Sequence, residues 1–273
     1  MAASNKIAFH TRSISFPTRS NPLTLTVEEQ LFRLRSSELS NSSSSICHNL
    51  VGLKDLFESV DDFLQLQLTQ HENCIDGFLD GSLMLLDVCG TLRDILSQMK
   101  QCVQDLQSSI RRRAGDLDLG NELNSYMTSR KKVNKVIHKC LAVLKKMDNK
   151  NGDLSVLREV EATTLAVFES LLSFLTGPKA RKQSSWSLVS KLMRSKRIAC
   201  EGQEKETSEL DKVDMTLKAL ISDKQNKVIV DVKTAQKPLE ALEMSIEDLE
   251  DGLESVFRCL IKNRVSLLNI LNQ

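Results

Sequence analysis

The sequence predicts an all-α protein, an elongated antiparallel bundle of about six to seven long helices behind a disordered N-terminal tail. Aromatic residues make up only 4% of the chain, whereas sheets usually rely on aromatic and β-branched residues. The C-terminal region alternates steps of three and four residues, which keeps one stripe on one side of a helix and is typical of a coiled-coil seam. That seam runs through Leu239, Leu242, Ile246, Leu249, Leu253, Val256, Leu260, Asn263, Leu267 and Ile270.

The N-terminal tail is assigned to residues 1–25, where Pro17, Pro22 and many Ser and Thr residues disfavour a stable helix. Thr26 then caps the first short helix, and Glu29 completes a capping box. We therefore place the start of the folded region at residue 26.

Residues 26–177 are predicted to form an N-terminal helical bundle. After the short first helix, apolar periodicity predicts helices over about 46–68, 78–113, 121–147 and 154–176. The helix over 78–113 has a seam of its own, which includes Phe78, Leu85, Leu92, Met99 and Val103. Gly177 followed by Pro178 is a typical helix terminator.

Residues 178–208 are predicted to be a basic linker with a short amphipathic helix, SWSLVSKLM, and residues 209–273 a helical hairpin that packs on the bundle. The C-terminal helix should fold back as a central strut. From residue 178 to 200 the linker has no acid and seven bases, namely Lys179, Arg181, Lys182, Lys191, Arg194, Lys196 and Arg197. These bases form either a solvated face or a surface that docks on the acidic stretch 240–254 or on an anionic membrane.

No motif indicates catalysis. The sequence lacks glycine-rich phosphate loops and the nucleophile and zinc-protease motifs. The acidic pairs Asp61–Asp62 and Asp248–Asp251 are predicted on exposed helix faces, where carboxylates solvate the surface. The seven cysteines contain no CxxC pair and the four histidines are scattered, so we expect no metal site and no cofactor. We therefore expect a protein that is not an enzyme.

Nucleic-acid binding is not expected either. The fourth helix is predicted to have a basic outer face of Arg130, Lys131, Lys132, Lys135 and Lys139, but no aromatic residues are interleaved with these bases to stack on nucleobases. Basic helix faces of this kind are more often structural.

The tail contains one short motif with a defined chemistry. Arg12, Ser13, Ser15 and Pro17 form the pattern R-S-x-S-x-P, which 14-3-3-type phosphoserine readers bind once Ser15 is phosphorylated. The acid-free composition of residues 1–27 also fits an organelle transit peptide. A regulatory tail is the preferred interpretation.

Several blocks of the chain together resemble a plant-specific family of helical proteins grouped with the Bypass proteins of root and shoot development. They include SFPTRSNP, VEEQLFRLRSSE, DGSLMLLDVCGTLRDILSQM, EATTLAVFESLLSFLTG and SIEDLEDGLESVFRCLIKNRVSLLNIL, in order over nearly the whole sequence. The resemblance implies a helical fold and a developmental role, and it implies no catalytic residue.

We therefore expect a non-enzymatic interaction or regulatory protein in plant root and shoot development, with other proteins as partners. The alternative is a peripheral membrane-associated factor that binds anionic lipid through residues 178–200, with Trp186 as an interfacial anchor. A cytoplasmic location is expected, with the membrane surface and the plastid as alternatives. The oligomeric state stays open. Asn263 either fixes register or oligomeric state, or the helix rotates there so that Val265 and Leu268 take over the packing.

Overall fold

A computed structural model describes residues 22–37, 42–66, 72–112, 120–148, 156–177, 208–226 and 232–272. These ranges contain seven α-helices, one short 3₁₀-helix and no strand, which confirms the predicted all-α fold. The α-helices are α1 (Pro22–Ser36), α2 (Ser43–Leu66), α3 (Glu72–Arg112), α4 (Gly120–Asp148), α5 (Val156–Thr176), α6 (Glu209–Asn226) and α7 (Gln236–Leu271), and the 3₁₀-helix (Val232–Ala235) directly precedes α7.

The C-terminal helix α7 lies between α2 and α3 and makes its most extensive contacts with them. It is antiparallel to α3, because Arg264 binds α3 near its start, at Leu79, while Glu240 binds α3 near its end, at Arg111. It is parallel to α2, whose Leu50 packs on Gly252 and whose Asp61 binds Ser266. At about 1.5 Å per residue, the 41 residues of α3 extend over about 60 Å.

The seam of α7 supplies the apolar contacts of this three-helix arrangement. Leu249 and Leu253 are fully buried, and Leu260, further along the same stripe, is buried as well. Each fully buried leucine contributes about 1.5–3 kcal/mol to folding relative to an exposed one. The other buried seam residues are Leu239, Leu242, Ile246, Val256, Asn263 and Leu267, while Ile270 is half-buried.

Helix α5 is more deeply enclosed than α7. It packs against α1, α2, α3 and α4, and it buries fourteen of its 21 residues, whereas α7 buries nine of 36. A helix that is apolar around most of its circumference is expected to lie inside a bundle. The structure therefore has an enclosed helix, α5, and a strut, α7, whose outer face remains in solvent.

Two helix ends show how local sequence sets the boundaries. Helix α1 begins at Pro22, four residues before the predicted cap, because proline needs no backbone N–H in the first turn of a helix. Thr26 accordingly does not cap the helix, and its hydroxyl donates to the Pro22 carbonyl at 3.0 Å within the first turn. Helix α5 ends as predicted at Gly177, whose φ of 78° is a left-handed conformation that favours glycine.

The buried position of Asn263 excludes one of the two interpretations of the seam, and a role of Asn263 in register or oligomeric state stays a prediction. Asn263 is 2% exposed, whereas Val265 is 50% and Leu268 39% exposed, so the helix does not rotate to replace it. The division of the chain into a tail, a bundle, a linker and a hairpin stays a prediction.

Candidate interaction surface on helix α7

The N-terminal half of α7 carries seven acidic residues between Glu240 and Glu254, and α3 neutralises one edge of this stretch. All of its glutamates bind polar side chains of α3. The pairs are Glu240 with Arg111 at 3.6 Å, Glu243 with Gln104 at 2.8 Å, Glu247 and Glu250 with Lys100 at 3.1 Å each, and Glu254 with Arg93 at 2.7 Å. The hydrogen bonds that Lys100 donates to Glu247 and Glu250 raise the pKa of Lys100 above its ordinary value.

The two aspartates of the same stretch lie on the opposite edge of α7, toward α2. Asp248 and Asp251 are exposed, and among the described residues neither carboxylate has an ion-pair or side-chain hydrogen-bond partner. The fold therefore uses the glutamate edge of α7 to hold α3 and leaves the aspartate edge available.

These aspartates line a groove between α2 and α7, which we call the α2–α7 groove. It has a volume of about 460 Å³ and is lined by Ser43, Ser44, Cys47, Val51, Asp248, Asp251, Gly252 and Ser255. A β-carbon on Gly252 would lie 3.2 Å from two side-chain carbons of Leu50, so glycine lets α7 approach α2 closely at this point. Val51 remains 53% exposed at the side of the groove. The groove thus combines carboxylates, hydroxyls and a small apolar area, and none of the described residues that line it is Lys or Arg.

The start of α6 lies close to this groove. The pKa of the Cys47 thiol is raised to about 11, first by burial, then by the negative charge of Asp248, with a smaller effect of Glu209. Glu209 is the first residue of α6. The negative charges of α6 and α7 therefore act together on the groove wall that Cys47 forms.

Two charged residues that the sequence placed on helix surfaces are buried instead. Asp61 is 1% exposed and Arg130 is 4% exposed, so the predicted exposure of Asp61 and the assignment of Arg130 to a basic outer face are wrong. Asp62, Lys131, Lys132, Lys135 and Lys139 are exposed, as are Asp248 and Asp251. The pattern does contain a signal for Arg130, because Tyr126, Arg130, Val133 and Ile137 continue one unbroken series of steps of four and three.

Asp61 connects α2 to the C-terminal part of α7. Its carboxylate accepts hydrogen bonds from Ser266 Oγ at 2.6 Å and Gln65 Nε2 at 3.0 Å, and it pairs with Lys262 Nζ at 3.0 Å. Asp61 also raises the pKa of Lys262, first through this hydrogen bond and then through its charge. A buried carboxylate with this many donors is compensated for its desolvation and fixes the register of the two helices.

Arg130 connects α4 to α3 and to the end of α5. Its guanidinium donates to the Leu175 carbonyl at 2.7 Å and to Asn134 Oδ1 at 3.1 Å, and it lies 3.7 Å from Met99 Sδ. A cation at the C-terminus of a helix satisfies carbonyls that have no partner within the helix. Burial raises the pKa of the neighbouring Tyr126, an effect that the charge of Arg130 partly opposes.

Other sequence-predicted sites lie outside the described residues. These are the phosphorylation motif with Arg12, Ser13, Ser15 and Pro17, and the basic surface from Lys179 to Arg197. In the part of the chain that the structure describes, no cluster of three or more His, Cys, Asp or Glu side chains is arranged to hold a metal ion. No helix there is long and apolar enough to span a membrane.

Comparison with protein families gives a match to the model described as Protein BPS1, over residues 49–270. The chain belongs to this family. The family has a role in plant development, which agrees with the resemblance seen in the sequence. Comparisons with curated proteins and with solved structures give no match.

The match to the BPS1 family covers most of the α2–α7 groove. Val51 and the α7 residues Asp248, Asp251, Gly252 and Ser255 lie inside the matched range, whereas Ser43, Ser44 and Cys47 precede it. The basic segment 178–200 also lies inside the range, and the tail with Ser15 lies outside it. The acidic groove and the basic segment are thus both parts of the region that defines family membership.

Proposed function

We propose that this member of the BPS1 family is a non-enzymatic interaction or regulatory protein in plant root and shoot development. It acts by presenting the outer face of α7 and the α2–α7 groove to segments of other proteins. The observation that carries the proposal is the unpaired aspartate edge of α7, since Asp248 and Asp251 stabilise no contact within the described bundle. Surface charges that the fold does not use are available for recognition of a partner.

The use of the buried polar groups supports the same proposal. The interior is filled mostly by aliphatic side chains of the helix seams. Asp61 and Arg130, the most deeply buried charged residues described, both bind groups on neighbouring helices. A structural role in joining helices accounts for the burial of these two residues, and no catalytic role is needed to explain it.

Proximity labelling in roots and shoots tests the proposal. The full chain is compared with Asp248→Asn/Asp251→Asn, which removes the charges of the groove, and with Asp87→Asn/Asp94→Asn, a control that removes two exposed charges from α3. We expect the groove variant to label a defined subset of proteins several-fold less than the wild-type chain does. The control should label these proteins as strongly as the wild-type chain. If all forms label the same proteins as the free labelling enzyme, the proposal is wrong.

The tail is proposed to add a phosphorylation-dependent contact. Phosphorylated Ser15, with Arg12 three residues before it and Pro17 two residues after it, fits a 14-3-3-type reader. Kinase-treated full chain should be retained by a 14-3-3 column, and Ser15→Ala should elute unretained. Equal retention of the two forms would exclude Ser15 as the contact.

A second candidate function is peripheral membrane association. The seven bases and no acids of residues 178–200, together with Trp186, support binding to anionic lipid. Flotation with vesicles that contain about a third phosphatidylserine should carry the chain upward at low salt, because the attraction is screened as salt increases. If the chain stays at the bottom of the gradient at every salt concentration, this candidate is excluded.

A further inference from the structure

The outer side of α7 carries a row of residues at steps of four and three, which we call the outer row. Each member stands two positions after a residue of the buried seam, which is about 200° around the helix, so the row lies opposite the seam. All members are exposed except the half-buried residue at its centre, Ser255. The outer row consists of Met244, Asp248, Asp251, Ser255, Arg258, Lys262 and Val265.

The two halves of α7 have opposite charges. Residues 240–254 contain seven acids and no base, whereas residues 255–273 contain three bases and no acid. The glutamates of the acidic half bind α3, so its charge on the outer row comes from Asp248 and Asp251. A helix with this division of charge is complementary to a second copy of itself in the antiparallel direction.

Two bases of the second half remain accessible on the outer row. Arg258 pairs with Glu254 at 2.8 Å and Lys262 pairs with Asp61 at 3.0 Å, but their side chains are still 76% and 67% exposed. Guanidinium and ammonium groups have several N–H donors, so one carboxylate leaves donors for another. The third base, Arg264, binds α3 instead.

The charges of the outer row are placed symmetrically about Ser255. Asp248 and Lys262 are each seven residues from Ser255, and Asp251 and Arg258 are four and three residues from it. In an antiparallel pair with a two-fold axis at Ser255, residues at equal distances on opposite sides face each other across the interface. Asp248 of one copy then faces Lys262 of the other. Asp251 likewise faces Arg258, and each pair occurs twice.

The same symmetry pairs exposed apolar side chains. Met244 is 66% exposed and lies eleven residues before Ser255, while Val265 lies ten residues after it, so these two side chains meet across the interface. Val51 of α2 lines the α2–α7 groove together with Ser255 and is itself exposed. It therefore lies near the two-fold axis, beside Val51 of the second copy.

The size of this face is sufficient for a specific dimer. The outer row spans 22 residues, which is about 33 Å, and α7 and α2 side by side are about 20 Å wide. The resulting area of about 660 Å² on each copy, or about 1,300 Å² in total, is within the range of specific protein–protein interfaces.

We propose that two copies of this chain associate through the outer row of α7, antiparallel and about a two-fold axis at Ser255. Asp251 of each copy binds Arg258 of the other, and Asp248 binds Lys262. The inference rests on the proposed function only in that both use this face, and it names a second copy of the chain as a protein that binds there. Self-association is a property of the purified chain and is tested without another protein.

Sedimentation equilibrium of the full chain measures the association. The apparent mass should rise from that of a monomer toward that of a dimer between about 1 and 100 μM, and added salt should shift the equilibrium back to the monomer. A chain that stays monomeric over this whole range overturns the proposal.

Reversal of one charge pair tests the orientation. Asp251→Arg and Arg258→Asp each place like charges opposite one another, so each should weaken the dimer at least tenfold. A mixture of the two variants, and the double variant Asp251→Arg/Arg258→Asp, should restore it, which also shows that the variants fold. The control Asp94→Arg, on the exposed side of α3, should dimerise like the wild-type chain. A dimer that both single variants retain forms through another surface and overturns the proposal.

Zero-length carbodiimide cross-linking identifies the contact itself. Asp248 and Lys262 are 14 residues apart on one helix, a distance of about 21 Å, so this reagent joins them only between two copies. Mass spectrometry should find this cross-link in the dimer fraction, and its absence there, while links from Lys100 to Glu247 or Glu250 are found, overturns the proposal. If the dimer is found but proximity labelling detects no other protein, the dimer stands and the proposed function fails.

Discussion

Asp61 is a single side chain that fixes how α2 and α7 meet. Its carboxylate accepts hydrogen bonds from Ser266 of α7 and from Gln65 of its own helix. It also pairs with Lys262 of α7 on the solvent side. Because the carboxylate is 1% exposed, its removal leaves polar groups of both helices without their acceptor. The neighbouring Asp62 is exposed and offers a matched control.

Substitution of these two residues tests the role of Asp61. We expect Asp61→Ala to lower the free energy of unfolding in urea by about 1–3 kcal/mol, the range for leaving buried hydrogen-bonding groups without a partner, and Asp62→Ala to change it by less than about 0.5 kcal/mol. Equal effects of the two substitutions would show that Asp61 does not connect the helices in solution.

The Cys47 thiol reports on the groove at the scale of one residue. Its pKa is raised from 9.0 to about 11, so that at pH 9 about 1% of the thiol is ionised, against about half in the unfolded chain. Because the thiolate is the reactive form, alkylation of Cys47 by iodoacetamide should be slow at pH 9 and should accelerate up to about pH 11. Peptide-resolved mass spectrometry measures the rates, with the urea-unfolded chain as the control. A profile with its midpoint at pH 9 in the folded chain would contradict the described environment.

Sequence reasoning about single residues succeeded where the helical period was unbroken and apolar. It failed at Arg130 because a basic residue was assigned to the surface by its type, although Arg130 occupies a seam position between Tyr126 and Val133. For Asp61 the period is ambiguous, since Val60 and Asp61 are both compatible with the row that contains Phe57 and Leu64. Burial of a charge depends on donors from a distant helix, here Ser266, which local periodicity does not reveal.

Helices α3 and α5 show that the burial of a helix depends on the helices that surround it. The sequence predicts both helices, but it does not indicate that α5 is more enclosed than α7, because enclosure depends on which four helices surround it. Gly81 of α3 lies directly against the carboxylate of Glu161 of α5, whereas Gly90 faces open space. The glycine at position 81 therefore allows α3 and α5 to approach, and the glycine at position 90 has no such role.

Alanine at these two glycines gives different expected effects. Gly90→Ala should raise the free energy of unfolding by about 0.5–1 kcal/mol, because alanine is the better helix former and its methyl group meets nothing. Gly81→Ala should stabilise the chain less than Gly90→Ala does, because the added carbon forces the carboxylate of Glu161 to move, which offsets the gain in helix propensity. Thermal or urea unfolding measures both. Equal stabilisation by the two substitutions would contradict the close approach of α5 to α3.

At the scale of the whole molecule, α7 has two roles that lie on different sides of one helix. Its seam and its glutamate edge join α2 and α3 into one body. Its aspartate edge and the α2–α7 groove stay in solvent and carry the proposed recognition of other proteins. The seam was evident from the sequence alone. The separation of the acidic stretch into a paired edge and an unpaired edge was not, because it depends on Lys100, Arg93 and Arg111 of another helix.

The most direct measurement of this arrangement compares the same substitution at two leucines of α7, Leu253 in the seam and Leu268 on the outer face, which are 0% and 39% exposed. Urea unfolding of Leu253→Ala should give a free energy of unfolding about 3–5 kcal/mol below that of the wild-type chain. Leu268→Ala should lower it by less than about 2 kcal/mol, since this residue keeps 39% of its surface in water and its truncation leaves no enclosed cavity. If Leu268→Ala costs as much as Leu253→Ala, or if Leu253→Ala has no effect, α7 does not join α2 and α3 through the described seam.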